Sequence, residues 1–151
     1  MGDVELQLER RIRAPIAEVF ARLSDIEGHN EWMPRKGSIR RHSRLTSSGP
    51  SRVGTTYEDV TVMGRIPGEI VELDPPRRLG YHWWDSTSSG KVKTEGWPGY
   101  TLEAVDHRET LVRHGVRLRA NGIWGLATPV LKRVARRERT AVLDALEASF
   151  E

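Results

Sequence analysis

The most constraining feature of this chain is its last segment, where apolar residues recur at steps of three and four. Ile123, Leu126, Ala127, Val130, Leu131, Val134, Ala135, Ala141, Val142, Ala145 and Leu146 form one stripe, and Lys132, Arg133, Arg136, Arg137 and Glu147 lie off it. That period predicts an amphipathic helix over residues 122–149. Pro129 lacks an N–H and clashes with the preceding turn, so a kink or restart is expected near Thr128. Such a helix has to lay its stripe on another element, and almost everything before it reads as strand.

Val4, Leu6, Leu8 and Ile12 alternate with Glu5, Gln7, Glu9 and Arg11, with Arg10 breaking the apolar series. This is a strand with one wet face. Pro15 opens a short helix with Ile16, Val19, Phe20 and Leu23 on one side, and residues 29–33 suit a second short turn. Strands follow at 39–45, 55–63 and 65–73, the last stopped by Asp74-Pro75-Pro76. The strand at 78–84 is separated by a polar loop from a pair at 93–105 and 110–119, joined across the turn at 106–109. Consecutive strands followed by one long helix predict an α+β fold: a curved antiparallel sheet wrapped around the C-terminal helix, with short helices after the first strand. No repeat or linker interrupts the 151 residues, so residues 1–151 are expected to form one domain.

Composition removes several function classes. There is no cysteine, which excludes disulfide frameworks and thiolate metal sites. The five histidines show no zinc spacing, and no G-x-S-x-G or G-x-G-x-x-G occurs. Ser89-Gly90-Lys91-Val92 falls short of a phosphate loop, because Asp85 stands where the first glycine belongs. No metal or nucleotide cofactor is implied. The charged first residues and the absence of a run of ~18 apolar residues make a cytoplasmic location the expectation. Net charge is +3, with basic clusters at Arg35, Lys36, Arg40, Arg41, Arg44 and at Lys132, Arg133, Arg136, Arg137, Arg139. Nucleic acid or an anionic membrane would use such a stripe. Glu138, Asp144 and Glu147 dilute it, so a solvated helix face is the simpler account and nucleic acid is not the expected partner. The sequence does not set the oligomeric state.

Four stretches carry a family resemblance. They are Ile12-Arg13-Ala14-Pro15 with Val19, Phe20 and Leu23; Glu31-Trp32-Met33-Pro34; Val53-Gly54-Thr55-Thr56-Tyr57; and Glu69-Ile70-Val71-Glu72-Leu73-Asp74-Pro75-Pro76-Arg77-Arg78-Leu79. With the element order, they resemble the START-like (SRPBCC) superfamily and its bacterial polyketide cyclase/dehydrase-like branch. The resemblance implies a helix-grip fold and a cavity between sheet and helix. None of the four stretches is a catalytic signature.

Alternation then nominates the cavity wall. Leu79, Tyr81 and Trp83 share one face of their strand, Tyr100, Leu102 and Ala104 one face of the next, and Val112, His114, Val116 and Leu118 one face of the last. Ile66, Ile70, Trp32, Trp124, Leu131 and Val134 complete the expected lining, and Trp97 is a further aromatic able to stack on a flat ligand. Hydrophobicity would turn Val60 and Val62 inward, whereas the family pattern turns Tyr57 and Asp59 inward; the latter is adopted. His114 is either a general base or hydrogen-bonding group for a ligand, or a core histidine bonded to a neighbour such as Tyr100. Asp59, His114 and Tyr57 are the candidate proton-transfer residues. The expected function is binding of a small hydrophobic or amphipathic molecule, such as a lipid, polyketide or aromatic metabolite. The alternative is a polyketide cyclase or dehydratase working in the same cavity.

Overall fold

A computed structural model describes residues 2–151. The elements run β1 (Gly2–Ile12), α1 (Ile16–Ser24), α2 (His29–Trp32), β2 (Arg40–Leu45), β3 (Thr56–Thr61), β4 (Gly64–Asp74), β5 (Arg78–Ser86), β6 (Val92–Asp106) and β7 (Glu109–Ala120). A 3₁₀ turn (Gly122–Ala127) leads into α3 (Thr128–Ala148). The seven strands form one antiparallel sheet in the order β1-β7-β6-β5-β4-β3-β2. β1 and β2 are therefore the two edges, and α1 and α2 carry the chain from one to the other.

Period-two alternation works as expected in β1, where Val4, Leu6 and Ile12 are buried and Glu5, Gln7, Glu9 and Arg11 face water. Arg10 does not leave this register. It stays on the inner face and reaches α3, where it meets Asp144 at 2.8 Å and Glu147 at 3.0 Å. The residue that interrupts the apolar series thus ties the edge strand to the helix.

The main core gathers Ile12, Val19, Phe20, Leu23, Ile70, Leu79, Val112, Leu143 and Leu146. A second cluster of Val4, Leu6, Val116 and Leu118 has Trp83, Leu131 and Ala135 packed against it. The helix restarts at Thr128, with Pro129 in the first-turn position it tolerates.

The apolar stripe is not buried along its whole length. Only Glu138, Val142, Leu143 and Leu146 of α3 are fully buried, and Leu143 lies outside the stripe read from spacing. Ile123, Leu126 and Val130 remain 76%, 88% and 65% exposed. The C-terminal half of α3 packs on the core, while its N-terminal half passes over a gap between helix and sheet. Ala104 shares a face with Tyr100 and Leu102 but is exposed, because it lies near the end of β6 beyond the packed core.

This division predicts different mutational costs. Leu146→Ala, which empties a fully buried site, should destabilise the fold by about 2–5 kcal/mol in urea denaturation. Leu126→Ala should change stability by less than about 0.5 kcal/mol. Similar costs at both positions would contradict the split.

Candidate functional site

The gap is a cavity of about 180 Å³. Its floor comes from β3 to β7 through Tyr57, Asp59, Thr61, Ile66, Tyr81, Trp83, Pro98, Tyr100, Val116 and Leu118. Leu131, Val134, Ala135, Glu138 and Arg139 of α3 roof it, and Ile26, His29, Met33, Ile39 and Arg40 close one end. The inner face of β3 is the one bearing Tyr57 and Asp59; Val62 points away and is exposed. Two glycines make room for the aromatic floor. A Cβ at Gly68 would collide with the Tyr57 ring, and one at Gly96 with the Trp83 indole.

Ten of the residues nominated from sequence line this cavity: Tyr57, Asp59, Ile66, Tyr81, Trp83, Tyr100, Val116, Leu118, Leu131 and Val134. The others sit elsewhere. Ile70 and Leu102 belong to the packed core. Trp32 packs edge-on against His29, with ring centroids 5.6 Å apart. Trp124 lies half exposed in the 3₁₀ turn, with Lys93 Nζ 5.4 Å from its ring centroid. Trp97 is on the outer face, stacked on His82 at 4.7 Å with Arg117 over its other surface.

His114 is inward and fully buried, but it lies behind the wall. Its ring stacks on Tyr100 at 4.1 Å and 5°. Its Nδ1 donates to the Gly99 carbonyl at 2.8 Å, because a carbonyl can only accept. Its Nε2 is buried without a partner. Burial, aided by the positive charge of Arg139, lowers its pKa to about 3. His114 is a neutral core histidine bonded to a neighbour's backbone.

Five polar wall residues were not among the nominated candidates: His29, Arg40, Thr61, Glu138 and Arg139. His29 Nε2 donates to the Leu23 carbonyl at 2.8 Å, an oxygen that also accepts from the Tyr81 hydroxyl at 2.7 Å. Desolvation lowers the His29 pKa to about 4, so its Nδ1 is an unprotonated acceptor. Asn30, the next residue in α2, exchanges hydrogen bonds with the Ser43 backbone and docks this turn on β2.

Asp59 accepts from Ser43 Oγ at 2.6 Å, and the same hydroxyl accepts from Arg40 Nη1 at 3.1 Å. This Ser43–Arg40 relay, and neither His114 nor Tyr57, supplies the hydrogen bonding of Asp59. Burial raises the Asp59 pKa against the pull of Ser43, Arg40 and Arg139. The hydroxyls of Tyr57 and Tyr100 have no protein partner among the described residues, and burial keeps both phenols protonated. Both are hydrogen-bond donors in the cavity wall. Glu138 is occupied otherwise: its carboxylate accepts from Ser38 Oγ at 2.8 Å and from the Ile39 amide at 2.6 Å.

Helical spacing carried a signal for two of the missed residues. Glu138 and Arg139 fill the break in the α3 stripe between Ala135 and Ala141. Arg40 and His29 had no comparable signal, because their placement depends on how α2 and β2 dock.

The family model for polyketide cyclase/dehydrase and lipid transport matches residues 3–151. No curated protein matches the sequence. Among solved structures, the Zhui aromatase/cyclase from a Streptomyces species superposes with a TM-score of 0.77 at 16% identity, covering 97% of this chain and 93% of that one. A START superfamily protein from Mycobacterium smegmatis gives 0.75 at 12%, covering 97% and 96%. A hypothetical protein from Helicobacter pylori gives 0.77 at 15%, covering 99% and 89%. At these identities the superpositions establish the helix-grip START-like fold alone.

Both buried histidines have folded-state pKa values below the usual 6.5 of an imidazole. A depressed pKa contributes stability above the unfolded value that is lost as pH falls toward the folded one. Below pH ~6.5 the unfolded chain takes up protons that the folded chain refuses. Urea denaturation should therefore show about 2–4 kcal/mol less stability at pH 5 than at pH 7. His114→Asn should remove roughly half of that difference. Equal stability at the two pH values would show that the histidines are not held neutral.

Proposed function

The chain belongs to the polyketide cyclase/dehydrase and lipid transport family, and from that premise we propose that it binds a small hydrophobic or amphipathic molecule between the sheet and α3. The observation that carries this reading is the cavity itself. Trp83, Tyr100, Val116, Leu118 and Leu131 make most of it apolar, and a few unpartnered polar groups converge at one end. Ligand sites have this composition. An enclosed apolar space of about 150 Å³ accepts one benzene ring. The 180 Å³ here suits an aromatic metabolite, a cyclised polyketide ring or the end of a lipid. Residues 1–151 on this reading form one ligand-binding domain acting in the cytoplasm. No helix of the described residues is long and apolar enough to cross a membrane.

N-phenyl-1-naphthylamine, a neutral dye that fluoresces in apolar surroundings, tests the cavity. Its emission should rise on mixing with the protein. Ala135→Phe, which fills the roof, should weaken binding at least about tenfold, equivalent to ~1.4 kcal/mol. Unchanged binding by that variant places the dye elsewhere and removes the support for this reading. Native mass spectrometry of the purified protein then identifies any molecule it retains.

One observation favours a second reading, in which the bound molecule also reacts. Asp59 lines the cavity as a carboxyl whose pKa is raised by burial, on the same strand face as the free hydroxyl of Tyr57. A carboxyl tuned upward can exchange protons beside a carbonyl. With a poly-β-ketone thioester as substrate, Asp59→Asn should lower kcat by about 10²-fold with little change in binding. Equal turnover by the variant would remove Asp59 from the chemistry.

A further inference from the structure

Arg139 is an unusual residue for the roof of an apolar cavity. It follows Leu131 and Ala135 at helical spacing and so faces the same way. It lines the cavity, and its charge acts on His29, Tyr57, Asp59 and Tyr100 of the floor and end wall and on His114 behind them. Arg139 is half-buried, and a cation partly withdrawn from water is costly unless it is paired. Yet Arg139 makes no hydrogen bond or ion pair among the described residues. Arg40, at the adjoining end wall, is only partly satisfied. Its Nη1 and Nη2 reach Asn30, Ser43 and the His29 carbonyl, while its Nε is buried without a partner.

The acids nearby do not neutralise this pair directly. Glu138 spends both oxygens on Ser38 and the Ile39 amide. Asp59 bonds Ser43, and no ion pair joins Asp59 to either arginine. The cavity therefore holds two guanidinium groups with donors to spare beside an aromatic floor.

We propose that the Arg40–Arg139 end of the cavity is a subsite for a carboxylate, and that the ligand is an amphipathic acid whose apolar body lies over Trp83 and Tyr100. This rests on the ligand-cavity reading above. A guanidinium presents two parallel donors that match a carboxylate fork. Tyr57 and Tyr100 supply neutral donors to the same region. A dianion such as a phosphate monoester would bring its second charge against Asp59 and Glu138, so a monoanion is the better match.

The test uses a matched pair of ligands competing with N-phenyl-1-naphthylamine at pH 7.5. 2-Naphthoate carries the carboxylate, and 2-acetylnaphthalene has nearly the same shape without charge. The acid should compete at least about tenfold more strongly than the ketone in the unaltered protein. Arg139→Met should abolish that advantage and leave the ketone within about threefold of its original affinity, while Arg139→Lys should retain part of the advantage. Equal competition by acid and ketone, or competition by neither, in a protein that still binds the dye overturns the subsite and leaves the cavity reading standing. Equal weakening of both ligands by Arg139→Met likewise overturns it. A protein that does not bind the dye at all overturns both.

Discussion

The helix is suspended between the two edges of the sheet, and the cavity exists because of how it is suspended. On the β1 edge, Arg10 holds Asp144 and Glu147 of α3. Near the β2 edge, Ser38 Oγ and the Ile39 amide hold Glu138. Between these anchors Val142, Leu143 and Leu146 bury themselves in the core. Beyond Glu138 the helix has no further buried residue, and it runs on as a roof. A helix packed along its full length would leave no room for a ligand. The Glu138 contact lies where packing ends and the roof begins. A buried carboxylate with two donors in fixed positions defines that point more sharply than apolar packing could.

The polar groups in the cavity follow from the same arrangement. Burial drives five of these groups toward their neutral forms: His29 and His114 lose their protons, and Tyr57, Tyr81 and Tyr100 keep theirs. Arginine keeps its charge through such desolvation. Arg40 and Arg139 are consequently the cationic groups of the cavity wall, which also carries the carboxyls of Asp59 and Glu138. The two histidines differ in place. His114 backs Tyr100 by stacking, whereas His29 belongs to the cavity wall.

Much of the fold was legible in the chain. Period-two alternation set the inner faces of β1, β5, β6 and β7, because an antiparallel strand with one wet face reports its orientation at every residue. Pro129 marked the helix restart. β3 was legible only through family resemblance, since Tyr57 and Asp59 face inward while the more apolar Val62 faces water. Hydrophobicity misleads there because the strand lines a cavity that carries polar groups. The stripe on α3 misled in the opposite sense, since spacing shows which residues share a face but not where along the helix its support ends.

The sequence by itself determined the secondary elements, the α+β order of a strand run followed by one long helix, and the aromatic floor through Tyr81, Trp83 and Tyr100. All of these depend on local periodicity, which neighbouring residues carry. Only the tertiary structure decided that His114 stands behind the wall, that Trp32 and Trp124 lie off the cavity, and that Arg40, His29 and Arg139 line the same cavity as Asp59. Those facts depend on the docking of α2, β2 and α3 across the open side of the sheet. The residues concerned are separated by long stretches of chain, and no local pattern records their approach.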